Sequence, residues 1–149
     1  ILTPTVSIQK KAAFELKTLG GVTRSINQPL TLQIIANSGG EEIVGFDVLL
    51  TYDSLAFDFI EASSLLPDFK VYSYKKENYI SLTAIKSLQS KAPSVFKNEP
   101  VIKVDFIPKK AGLFKFVMEE RIGKETAGLV NTKTERITPL LKRLMIEIQ

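Results

Sequence analysis

Apolar residues recur at every second position through most of this chain. That spacing is the mark of a half-buried β-strand, in which successive side chains leave opposite faces. Near the N-terminus Val6, Ile8, Ala12, Phe14 and Leu16 keep one phase, with Lys10 breaking it. This reads as a long or broken first strand, and a helix over residues 10–19 closed by Gly20-Gly21 is the competing reading. Leu30, Leu32 and Ile34 then share one face of "PLTLQIIA", and the turn "NSGGEE" follows. In "IVGFDVLLTY" the residues Phe46, Val48, Leu50 and Tyr52 oppose Gly45, Asp47, Leu49 and Thr51, so a core face and an outer face are distinguishable. After Asp53-Ser54 the alternation restarts with Leu55, Phe57 and Phe59.

"DFKVYSYKKENYISLTAIKS" reads as a hairpin that turns at Lys75-Lys76-Glu77-Asn78. Its second arm sets Ile80, Leu82 and Ala84 against Tyr79, Ser81, Thr83 and Ile85. "LQSKAPSVFKNE" is loop-like, with Pro93 and Pro100 as breakers. Two strands follow around a Pro-Lys-Lys-Ala-Gly turn, with Ile102, Val104 and Phe106 on the first and Phe114, Phe116 and Met118 on the second. Residues 121–139 are polar and turn-rich. The C-terminal "LKRLMIEIQ" alternates through Leu144, Ile146 and Ile148 as a last strand, while Leu140, Leu141 and Leu144 also match a short helix over 139–145. About nine short strands at such intervals predict an all-β, two-sheet antiparallel β-sandwich spanning residues 1–149 as one domain.

The sequence holds no cysteine and no histidine. Those absences exclude disulfides, the thiolate and imidazole zinc sites, and Ser-His-Asp or Cys-His nucleophilic catalysis. The charge of +4 arises from 20 basic and 16 acidic residues spread along the chain. The pairs Lys10-Lys11, Lys75-Lys76 and Lys109-Lys110 read as solvated turn and strand-end lysines that blunt sheet edges. No arginine-rich or aromatic-interleaved patch accompanies them, so no nucleic-acid partner is expected. No run of about 18 apolar residues exists to insert in a membrane. The chain starts at Ile1 without a basic-then-apolar leader, which is read as a processed protein or a module of a longer secreted or surface protein.

Four stretches carry a family resemblance: the Gly39-Gly40 turn, "IVGFDVLLTYD" at Ile43 to Asp53, "LAFDFIEASSL" after it, and "PVIKVDFIPKKAGLFKFVM" at Pro100 to Met118. Their order resembles the cohesin domain family, modules that bind dockerin domains in cellulosomes and also occur singly in prokaryotic surface proteins. The sequence departs from the family where Ser54 stands in place of the usual proline after Tyr-Asp, and where Phe57-Asp58 replaces the usual Leu-Glu. The resemblance implies a jelly-roll sandwich, an extracellular or cell-surface location, no cofactor or metal of its own, and a protein partner of dockerin type. It also implies that the partner meets the outer face of one sheet. By alternation that face presents Asp47, Leu49, Thr51, Tyr79, Ser81, Thr83, Lys115 and Val117, joined by Tyr72 and Tyr74 on the neighbouring strand.

Each of these candidates also has a plain reading. Asp47 is either an interface hydrogen-bonding group or a solvated aspartate. Tyr72, Tyr74 and Tyr79 fit a protein anchor, a sugar-stacking platform, or cross-strand packing that pins a hairpin. Asp53, Asp58, Glu61 and Asp68 lack the spacing of a calcium loop or a paired-carboxylate cleft and read as turn caps. The expected function is therefore a non-catalytic protein-recognition module, with a structural spacer and a carbohydrate-binding module as alternatives.

Overall fold

The computed structural model describes residues 11–149, so Val6, Ile8 and Lys10 lie outside the described part. In chain order the strands are β1 (Ala13–Thr18), β2 (Thr23–Arg24), β3 (Leu30–Thr51), β4 (Phe57–Ser64), β5 (Phe69–Lys75), β6 (Tyr79–Lys86) and β7 (Val95–Pro108). They continue as β8 (Gly112–Glu119), β9 (Arg121–Ile122), β10 (Glu125–Thr126), β11 (Gly128–Asn131), β12 (Arg136–Ile137), β13 (Leu140–Leu141) and β14 (Leu144–Ile148). Both helical alternatives are overturned, because residues 13–18 and 144–148 pair as strands. Two of the expected strands are joined in β3, and the additional ones are the two-residue β2, β9, β10, β12 and β13 and the short β11, mostly within the polar segment 121–139.

The strands form a jelly-roll sandwich. One sheet runs β13-β1-β3-β7-β4, using the first half of β3. The other runs β5-β6-β3, using the second half, with β8 and β11 sharing the far edge of β3. Pairing is antiparallel except for β1 with β13 and β2 with β14, which are parallel.

The expected turn at "NSGGEE" is instead a bend inside one long strand. Gly39 (φ 64°) and Gly40 (φ 87°) adopt left-handed backbone that residues with a Cβ avoid, and the pairing of β3 with β7 slips at this point. Ser38, fully buried, accepts a hydrogen bond from the Phe96 amide (2.9 Å) and donates to the Glu41 carbonyl (2.7 Å), satisfying backbone groups where the ladder is interrupted. The chain crosses between sheets a second time after Tyr52. Asp53 Oδ1 accepts from the amides of Leu55 (3.0 Å) and Ala56 (3.2 Å), a local turn that the Tyr-Asp pair announces. Leu55 does not restart the core phase: it is 76% exposed on that turn, and β4 begins at Phe57. The segment from Val95, read as a loop, is the start of β7, which tolerates Pro100 because it falls at a register irregularity.

The core is rich in aromatic rings, gathered in two groups. Phe46 packs against Phe14, Phe69 and Phe96 with ring centroids 5.6–5.8 Å apart. Phe106 and Phe116 pack on Tyr52 and Phe57 with centroids 4.9–6.2 Å apart. Burial pushes the Tyr52 phenol above its ordinary pKa, with the negative charge of Asp58 as a smaller cause. Such ring contacts, mostly tilted or edge-on with Tyr52 and Phe116 stacked, set the distance between the sheets.

Candidate functional site

The outer face of the β5-β6-β3-β8 sheet holds the residues picked by alternation. The register sets Asp47 beside Thr83 and then Tyr72, and Leu49 beside Ser81 and then Tyr74. Thr51 lies between Tyr79 and Val117, and Lys115 is two residues before Val117 on β8. Period-two geometry alone produces these rows, because every inward neighbour is drawn into the core: Val48, Leu50, Ile80, Leu82, Phe116 and Met118.

The residues share a face but not an environment. Tyr74 is 56% exposed and Tyr72 39%, and the Lys70 ammonium sits 5.2 Å from the Tyr72 ring centroid. Lys115 is also exposed, whereas Thr51, Thr83 and Val117 are half-buried. Leu49 is only 1% exposed and Ser81 8%, although the Leu49 side chain lies outside the core that Val48 and Leu50 share. The expectation that alternation leaves Leu49 open to a partner is therefore corrected: something covers the middle of the face.

Segment 121–139 reaches this face at two points, Tyr79 and Asp47. β9 and β10 form a hairpin around Gly123-Lys124. Its Glu125 carboxylate accepts a hydrogen bond from the Tyr79 hydroxyl. That bond raises the Tyr79 pKa, with burial and the Glu125 charge adding to it. Beside it, β11 pairs with β3, and β12 pairs with β11. Arg136 on β12 donates to the Thr126 carbonyl (2.6 Å) and lies 3.5 Å from the Asp47 carboxylate, while Thr83 donates to the other Asp47 oxygen at 2.7 Å. Asp47 is thus already engaged on two sides. Its neighbour across the ladder is Gly128, where a Cβ would lie 3.1 Å from Arg136 Nε, so the missing side chain is what lets the guanidinium cross to Asp47.

Glu125 and Arg136 were missed by period-two reading because two-residue strands carry no alternation. The sequence does hold two weaker signals. Gly-Lys between Ile122 and Glu125 is a two-residue hairpin loop with Gly in its first place. In "NTKTE" the Asn131 side chain accepts from the amides of Lys133 (3.0 Å) and Glu135 (2.9 Å), as asparagine does in local turns.

The carboxylates outside this face are dispersed. Asp58 pairs with Lys109 at 3.6 Å, Asp53 caps its turn, and among the described residues no three Asp or Glu side chains gather as a metal site would need. What the face can do chemically is bind: it offers hydroxyls, aromatic rings, ammonium groups and apolar surface, without a concave pocket closed to water.

No protein-family model and no curated protein sequence matches the chain. Solved structures do. A cohesin module from a Clostridium perfringens family 33 glycoside hydrolase superposes with a TM-score of 0.76 at 14% identity, covering 93% of this chain and 98% of that one. A non-cellulosomal cohesin of the hyperthermophilic archaeon Archaeoglobus fulgidus gives 0.73 at 8% identity, covering 94% and 92%. The sixth cohesin of Acetivibrio cellulolyticus scaffoldin B, solved in complex with a mutant Cel5 dockerin, gives 0.72 at 9% identity, covering 94% and 100%.

Proposed function

The chain has a cohesin-like fold, and we propose that it serves as a non-catalytic recognition module, presenting the outer face of the β5-β6-β3-β8 sheet to a dockerin-type protein, in a secreted or cell-surface setting. The observation that carries this reading is the likeness over more than nine-tenths of the chain to cohesins, at least one of them solved on a dockerin. Fold likeness supports a mode of action and leaves the site to be argued from its own residues. Here those are a rigid sheet with tyrosines at one margin, a feature that interfaces favour because rings bury large areas at small entropic cost.

Burial of Leu49 and Ser81 favours a second reading, a structural spacer of a surface protein. The carbohydrate alternative has less support, since Lys70 lies over one face of the Tyr72 ring where a sugar would stack.

Calorimetric titration of the native chain with calcium-loaded dockerin-like segments from its own genome separates the readings, with the Cel5 dockerin of Acetivibrio cellulolyticus as an outside comparison. Recognition predicts saturable 1:1 binding to at least one native segment, weakened by EDTA. Heat traces flat for every segment would leave the spacer.

A further inference from the structure

Four connecting segments meet at one end of the sandwich: 19–29, 52–56, 75–78 and 109–112. Backbone hydrogen bonds tie them together, from the Asn27 amide to the Pro108 carbonyl (2.8 Å), from the Lys109 amide to the Ala56 carbonyl (2.7 Å) and from the Tyr52 amide to the Asn78 carbonyl (3.5 Å). This end displays Leu19, Val22, Ile26 and Leu55, with Leu113 (67% exposed) beside them at the start of β8. A single exposed leucine is ordinary, whereas five large apolar side chains on adjoining segments form a patch that marks an interaction site.

The loop that carries Leu19 and Val22 is held in place from within. Arg24 is buried, and its guanidinium donates to the carbonyls of Leu19, Gly20 (3.2 Å), Gly21 (3.0 Å) and Thr23 (2.9 Å). Leu19 and Val22 point away from the core and add nothing to it. Two of the three lysine pairs that stand out in the sequence, Lys75-Lys76 and Lys109-Lys110, also fall on these segments, where the acidic residues are Asp53 and Glu77. Lys109 is engaged by Asp58 (3.6 Å) and Asn27 (3.3 Å), while Lys75, Lys76 and Lys110 are exposed. The opposite end mixes Glu41, Glu42, Asp68 and Glu120 among its lysines.

We infer that this end is a membrane-contact surface, which rests on an anionic lipid bilayer. The apolar tips enter the headgroup region and the upper acyl chains, and Lys75, Lys76 and Lys110 meet the lipid phosphates. Apolar side chains bordered by lysine gain at such an interface from both terms at once, burial of apolar area and attraction to the charged leaflet. A soluble polyanion would engage the lysines and leave the tips in water, and a second copy of this end would set lysines against lysines. The tips stand on separate segments that together span the end of the sandwich, so a broad surface meets them together. The contact is peripheral and uses none of the residues proposed for a protein partner, so the two readings stand or fall separately.

The native chain is sedimented with large vesicles of phosphatidylcholine alone and with vesicles holding about one third phosphatidylglycerol. It binds the anionic vesicles at least about ten-fold tighter than the neutral ones, and the difference shrinks as salt rises. Lys76→Gln combined with Lys110→Gln weakens binding about 30-fold, at roughly five-fold for each lysine near the surface. Leu55→Ser combined with Leu113→Ser weakens it at least about ten-fold. All four positions are exposed, so the melting temperature of each double variant stays within about 2 °C of the native value. The chain has no tryptophan, so Leu113→Trp and Leu88→Trp, the latter beyond the far end of β6, report position. On anionic vesicles the emission of Leu113→Trp moves to shorter wavelength and that of Leu88→Trp stays. The inference is overturned if neither vesicle carries the chain down, if the doubly serine-substituted chain binds like the native one, which would leave charge alone, or if Leu88→Trp shifts in place of Leu113→Trp.

Discussion

Leu49→Ala tests the covered face directly. Alternation places Leu49 on the outside, and an exposed leucine cut to alanine changes stability by no more than about 0.5 kcal/mol. In the structure Leu49 is 1% exposed, and β10 packs near β3 with Glu125 bonded to Tyr79. Truncating a buried leucine costs ~2–5 kcal/mol, depending on how far the surroundings collapse. A hairpin of two-residue strands can settle into the space more readily than a sheet core can, so the lower end applies and about 2 kcal/mol is expected. For a domain of this size that lowers the melting temperature by roughly 4–8 °C. Urea unfolding gives the free energy, with Leu50→Ala, a core truncation on the opposite face, as the calibrating control. Amide exchange supplies the local readout: residues 121–126 exchange faster in Leu49→Ala, whereas Leu50→Ala leaves them protected up to its global unfolding. A loss below about 0.5 kcal/mol, with hairpin exchange unchanged, would show that Leu49 lies open and that the cover does not exist.

Two further outcomes follow from the same arrangement. The Tyr79 phenol donates to Glu125, so its folded pKa stands above the unfolded value near 10; the hairpin's anchorage is fully present below that value and is lost as pH rises through the folded pKa. Ultraviolet titration should show two late-ionising tyrosines, Tyr79 and the buried Tyr52, and Glu125→Gln should lower one of them alone; a Glu125→Gln profile identical to that of the native chain would refute the contact. Gly128→Ala puts a Cβ 3.1 Å from both Arg136 Nε and the Ile137 carbonyl, and the carbonyl belongs to a paired strand that cannot yield as a side chain can. It should cost ~1–2 kcal/mol in thermal unfolding, more than Arg136→Ala, whose exposed ion pair with Asp47 is worth under ~1 kcal/mol; equal costs would contradict the steric account.

The same arrangement shows why this face reads differently from sequence alone. Asp47 is the polar residue on an otherwise apolar strand, and from sequence it resembles a free interface group. In three dimensions Thr83 and Arg136 take up both of its oxygens. The residue that closes this arrangement is 89 positions away.

Period-two burial and turn chemistry act between near neighbours, so the β class, the sandwich core, the hairpin at Lys75 to Asn78 and the crossing after Tyr52 are legible in the residues alone. Phe46, Val48, Leu50 and Tyr52 are buried as their phase requires. Which outward residues stay open to solvent is set by contacts made in three dimensions. Alternation states that Leu49 leaves the core, and it holds no information about the segment 121–139, which returns to the same face long after and bonds to Tyr79 and Asp47. It likewise could not show that "NSGGEE" bends one strand between two sheets, since two glycines at positive φ permit a turn and a bend alike. Local spacing fixes which side a residue faces, while its exposure depends on contacts made across the whole chain.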